Sequence, residues 1–105
     1  MPMVDALYAV DVGDAARSIT VDDSSTRLPI NTIRGQPTIQ KVELTVETAQ
    51  LRWWDDGTNP TASVGRVANV GTLIVLANRN RIENFRAIRT GSTSATLRCV
   101  YLASS

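Results

Sequence analysis

Apolar and polar positions alternate with a period of two along much of this chain, which is the signature of half-buried β-strands. From Ile39 to Glu47, Val42, Leu44 and Val46 fall on one face, while Lys41, Glu43, Thr45 and Glu47 fall on the other. Ala95, Leu97, Cys99 and Tyr101 alternate in the same way against Thr96, Arg98, Val100 and Leu102. The second face of this strand turns apolar at its end, so both sides are expected to be covered there. Further strands are expected at Leu7 to Val12, Arg17 to Val21, Gln50 to Trp54, Gly65 to Val67, Thr72 to Leu76 and Phe85 to Arg89.

Turn formers separate these segments: Gly13-Asp14, Asp22-Asp23-Ser24-Ser25, Gly35-Gln36-Pro37, Asp56-Gly57, Asn69-Val70-Gly71 and Thr90-Gly91-Ser92. Short strands at this spacing suit a sandwich or barrel. Twelve threonines add to the β bias, because a β-branched side chain fits a pleated surface. Only Asn80 to Ala87 offers a short helical turn. The expected fold is therefore all-β, an antiparallel β-sandwich with jelly-roll-like character. A chain of 105 residues forms one domain, residues 1–105, with residues 1–21 as an N-terminal arm or an edge strand.

Composition narrows the function classes. Hydrophobic residues at 43% against 20% charged predict a folded globule and leave no long disordered tract. No apolar run approaches the roughly 20 residues that span a bilayer, and the first residues lack the basic-then-apolar pattern of a secretory signal, so synthesis in the cytoplasm and no membrane partner are expected. The net charge of +1 arises from ten arginines and Lys41 set against ten acids. That balance disfavours a nucleic-acid partner, which calls for a basic stripe. Arginine over lysine reflects either codon bias or a protein interface, where its planar fork is useful.

Candidate chemistry is sparse. The absence of histidine removes Ser-His and Cys-His nucleophiles and histidine metal ligands. The single cysteine, Cys99, has no disulfide partner within the chain and sits where a small buried hydrophobe is expected. No phosphate-loop motif is present. Asp22-Asp23 and Asp55-Asp56 lack calcium-loop spacing, and neighbouring strand residues face opposite ways, so neither pair makes an acid-base couple. Asp55 and Asp56 are expected instead to accept backbone hydrogen bonds in the turn that Gly57 completes, with Gly57 at positive φ. With Glu83 added, these acids are the weak basis for any enzyme reading. The chain is expected to be no enzyme and to need no cofactor or metal.

Of Trp53 and Trp54, period-two geometry sends one inward and one outward. Three uses stand for an outward tryptophan: a contact with another molecule, cover by a loop of the same chain, or stacking on a sugar ring.

The segment Leu51-Arg-Trp-Trp-Asp-Asp-Gly-Thr-Asn-Pro-Thr-Ala-Ser-Val-Gly65, followed by Gly71-Thr-Leu, Asn84-Phe-Arg-Ala-Ile-Arg and Ser94-Ala-Thr-Leu-Arg-Cys-Val-Tyr101, resembles a family of small tailed-bacteriophage virion proteins. Members show an Arg-Trp-Arg-Asp-Asp-Gly-Thr-x-Pro-Thr-Ala-x-x-Gly stretch, a glycine turn and a closing Ala-x-Leu-x-Val-x-Tyr strand. The chain departs from that pattern at Trp54, where a second arginine is usual, and between Val75 and Glu83, where Asn78-Arg79-Asn80-Arg81 replaces a more apolar stretch. The resemblance implies a jelly-roll decoration, or cement, protein on the outer capsid surface of a virion. Its partners would be the major capsid protein and further copies of itself as a homotrimer, and Arg52, Trp54, Arg79 and Arg81 are the candidate partner-binding residues. A tail, neck or fibre component and a carbohydrate-binding β-sandwich are the alternatives.

Overall fold

The computed structural model describes residues 7–9, 14–29 and 39–104, and among these described residues it forms eight strands and two short helices. In chain order they are β1 (Leu7–Ala9), α1 (Asp14–Arg17), β2 (Ser18–Val21), β3 (Ile39–Glu47), β4 (Leu51–Trp54), β5 (Arg66–Ala68), β6 (Leu73–Leu76), α2 (Arg79–Glu83), β7 (Arg86–Arg89) and β8 (Ala95–Ser104). The larger sheet runs β1-β8-β3-β6, and β2 joins β8 on the same edge as β1. The smaller sheet runs β5-β4-β7. Every pairing is antiparallel. The architecture is all-β and sandwich-like, as the alternation predicts.

The two longest strands lie side by side and build the core. Their register places Leu44 opposite Cys99 and Val42 opposite Tyr101, while β6 sets Ile74 and Leu76 beside the same two β3 residues. All of these side chains are buried, together with Val46, Leu97 and Ala95 from the same faces. Leu51, Ala68 and Ala87 close the core from the smaller sheet, and Ile82 of α2 and Phe85 from the following residues fill one end. Burial of this kind stabilises by roughly 1.5–3 kcal/mol for each large aliphatic or aromatic side chain.

The first described segments line the edge of the larger sheet. Leu7 to Ala9 pair with the end of β8, and Ser18 to Val21 pair with its beginning. Of residues 1–21, expected as an arm or an edge strand, residues 1–6 and 10–13 lie outside the described residues, as does the turn expected at Gly35-Gln36-Pro37. One element is additional: Asp14–Arg17 is helical where a turn is expected at Gly13-Asp14 and a strand from Arg17. Buried Ala16 lies in this helix, and its carbonyl accepts a 2.7 Å hydrogen bond from the Tyr101 hydroxyl. Beyond β2 the chain leaves the larger sheet. Thr26 exchanges hydrogen bonds of 2.8 and 3.0 Å with Ala87 of β7, and Asp22 accepts one from Arg89.

The apolar end of β8 is not covered on both sides. Val100 is 45% exposed, and its outward row continues through Glu43 of β3 to Val75 of β6, which is 44% exposed. Leu73, at 57%, stands in the next row beyond Thr45. The outer face of the larger sheet therefore carries apolar side chains in the open, mixed with the ion pairs Lys41–Glu43 at 3.8 Å and Arg98–Glu47 at 2.9 Å.

Candidate functional site

The acidic and aromatic corner after β4 folds as its residue types dictate. Leu51 and Trp53 share the inner face of the strand, so Trp53 packs on the core, with its ring centroid 5.9 Å from that of Phe85. The Arg66 guanidinium stacks over the Trp53 ring at 5.0 Å, which closes that edge by a cation-π contact. Trp54 is the outward tryptophan, sharing the outer face with Arg52. It is half-buried, and its indole nitrogen is sealed from solvent with no hydrogen-bond partner.

The corner then turns at Asp56 and Gly57. The Asp56 carboxylate accepts the Thr58 N–H at 3.0 Å, and this backbone hydrogen bond, helped by a second from the Thr58 side chain, holds its pKa below the usual carboxylate value. Gly57 has φ +88°, in the left-handed region expected, and its N–H donates to the Asn84 carbonyl at 3.0 Å. Asp55 behaves differently from the expectation. Its carboxylate takes the Arg81 guanidinium at 2.7 Å instead of a backbone N–H, because helix α2 brings Arg81 across 26 positions of sequence.

Helix α2 is set by its N-cap. The Asn78 side chain accepts the Arg81 N–H at 3.0 Å, a role for which asparagine is well suited. Within the helix Arg79 bridges to Glu83 at 2.8 Å and also donates to the Ile39 carbonyl at 3.4 Å. Glu83 is thereby committed to an ion pair. Asn84 ends the helix, donating from its side-chain amide to the Asn80 carbonyl at 2.9 Å and to the Asn80 side-chain oxygen at 3.1 Å.

The four candidate residues do not form one patch. Trp54 is the chain neighbour of Asp55, whose carboxylate pairs with Arg81. Arg52 serves the loop of its own chain: its guanidinium donates to the Ala62 carbonyl at 3.2 Å and to the Gly65 carbonyl at 2.8 Å. The loop lies close against the strand there, since a Cβ on Gly65 would stand 3.1 Å from the Pro60 side chain and 3.2 Å from that of Arg52. Arg79 is tied toward the larger sheet. What sequence reasoning missed is the group of exposed apolar residues Leu73, Val75 and Val100 on the outer face of the larger sheet, signalled only by the apolar turn in the outer face of β8.

Asp55, Asp56, Asn78, Asn80, Arg81 and Asn84 together line a cleft of about 430 Å³ between the turn after β4 and helix α2. Cys99 takes no part in it. It is buried, its thiol donates to the Leu97 carbonyl at 3.6 Å, and burial pushes its pKa up to about 12. Among the described residues no group of three or more histidine, cysteine or acidic side chains is placed to hold a metal ion. No helix among the described residues is long and apolar enough to cross a membrane. Compared with protein-family models, with curated proteins and with solved structures, the chain matches none.

Proposed function

We propose that this chain is a bacteriophage capsid decoration protein, a jelly roll that binds the outer capsid surface and braces contacts between major capsid protein subunits. The observation that carries the proposal is the winding of the chain. Rolling up one long antiparallel hairpin pairs its first strand with its eighth, second with seventh, third with sixth and fourth with fifth. Two of these pairs are present as strands, β3·β6 and β4·β5; β1 and β2 beside β8, and the isolated Thr26 bridge beside β7, lie where the other two would fall and support the reading. The sequence resemblance of residues 51–101 to small virion proteins points the same way.

The physical demands of bracing a shell fit this molecule. A brace must be small and rigid and must act in many copies, so that modest contacts add up through avidity. The 58–65 loop is held by Arg52, the corner by Arg81 and Asp55, and the exposed face of the larger sheet offers apolar surface among mixed charges, the composition of protein interfaces. On this reading Trp54 and Arg81 at the corner, with Arg79 on the same helix, flank the contact with the capsid, and copies of the chain gather as trimers.

Cosedimentation of the purified protein with empty capsid shells from the parent particle tests the proposal. Saturable binding to shells, with none to isolated tails, is the expected result. Binding to tails or fibres alone would overturn it in favour of a tail component. Size-exclusion chromatography with light scattering should return three times the mass of a single chain, and a monomer at all concentrations would remove the trimer.

A further inference from the structure

We infer that the polar cleft between the turn after β4 and helix α2 is a saccharide-binding site, reading adjacent hydroxyl groups of a neutral pyranoside. This is a second binding activity; it shares Arg81 with the proposed capsid contact but is argued from the cleft alone. The cleft is of the size that small-molecule sites have, yet every side chain lining it is polar: Asp55, Asp56, Asn78, Asn80, Arg81 and Asn84. The polar ends of these side chains and their own carbon atoms share the exposed lining about evenly, which suits a ligand with both hydroxyl groups and C–H faces better than a wholly apolar one.

Charge excludes two further classes. An anion such as phosphate would face two carboxylates, and the one cation in the lining, Arg81, is already bound to Asp55 at 2.7 Å. A divalent metal ion would face the same guanidinium with at most two carboxylates in reach, and the described residues contain no larger ligand cluster. A neutral ligand dense in hydroxyl groups remains.

The lining suits such a ligand in detail. Internal hydrogen bonds hold the walls in place: Arg81 N–H to Asn78, Asn84 to Asn80, Thr58 N–H to Asp56, and Gly57 N–H to the Asn84 carbonyl. Those bonds engage the side-chain oxygens of Asn78 and Asn80, leaving their amide N–H groups as donors. They also leave the second Asp55 oxygen and the Asn84 side-chain oxygen as acceptors, and the rest of the Arg81 fork as donors. Carboxylate, carboxamide and guanidinium groups each present two polar atoms side by side, a spacing that matches hydroxyls on neighbouring ring carbons, each of which can donate and accept. No aromatic ring lines the cleft, so the site works by hydrogen bonding without a stacking platform. A peptide that binds by adding a strand needs the free edge of a sheet, and no strand edge lines the cleft.

Two-dimensional amide NMR of the intact protein tests this with the methyl glycosides of glucose, galactose and mannose and with N-acetylglucosamine. At least one should shift the backbone resonances of residues 55–57 and the side-chain amides of Asn78, Asn80 and Asn84, saturating with a dissociation constant on the order of 1 mM. Asn80→Ala, which alters an exposed side chain, should weaken that binding about tenfold while the thermal melt stays in place. Arg81→Lys, which keeps the charge but loses the fork, should weaken it similarly. Absence of cleft shifts with all four sugars would overturn the inference. Cleft shifts with a short peptide amide and with none of the sugars would also overturn it, assigning the cleft to a protein partner. Neither result touches capsid binding, which cosedimentation reads separately.

Discussion

At the residue scale the corner after β4 makes the sharpest commitments. Gly57 holds φ +88°, and a Cβ there would meet the Asn84 side-chain oxygen at 3.3 Å. Gly57→Val should therefore lower stability by about 1 kcal/mol or more, read as a fall in melting temperature; an unchanged melt would refute the turn. Gly71 has φ +92° with nothing within 4 Å, so Gly71→Ala should cost only the backbone strain, about 1 kcal/mol, with no added steric term. Cys99 supplies a pH prediction. Its folded pKa is raised by burial to about 12 from 9.0, so the native state disfavours the thiolate relative to the unfolded chain. The stability this contributes is present below pH 9 and is lost as pH rises toward 12, so alkaline melts should decline across that window. Below it, a thiol reagent should label Cys99 only when the protein unfolds; rapid labelling of the native protein would contradict its burial. The buried thiol and the positive φ at Gly57 were legible in the sequence, because alternation and turn chemistry are local. The Asp55–Arg81 pair was not, because a contact across 26 positions leaves no local trace.

At the scale of elements, β3 appears over the residues that its alternation marks, and the other strands fall within a few positions of expectation. Helix α1 escaped because Asp14–Arg17 is a single turn beside a Gly-Asp pair, and it owes its place to tertiary contact. That contact is testable. Tyr101→Phe removes the hydroxyl bond to the Ala16 carbonyl inside the core, and should cost about 1–2 kcal/mol while leaving the fold intact. Arg52 makes the corresponding prediction for the 58–65 loop. Arg52→Ala releases two carbonyls, and amide hydrogen exchange of residues 61–65 should accelerate with β3 and β8 still protected. Equal protection in wild type and variant would show that the loop is held by Pro60 and Gly65 packing alone. The same bonds explain why Arg52, a candidate for partner binding by its residue type, spends its guanidinium within the chain.

For the whole molecule, strand content was legible and strand order was not. Alternation says which residues face inward, but the pairing of β8 with β3, β1 and β2 joins segments tens of residues apart and is decided by which apolar faces seal together. The exposed apolar residues Leu73, Val75 and Val100 show the same limit: each reads as ordinary strand, and only the register across β6, β3 and β8 sets them, in two neighbouring rows, on one face. On the proposed reading, that surface and the Trp54–Asp55–Arg81 corner are the faces that meet the capsid. Cryo-electron microscopy of the parent particle tests the central claim most directly. The account predicts density of this two-sheet shape on the outside of the capsid shell, touching the major capsid protein; density at the tail alone, with a bare shell, would contradict it.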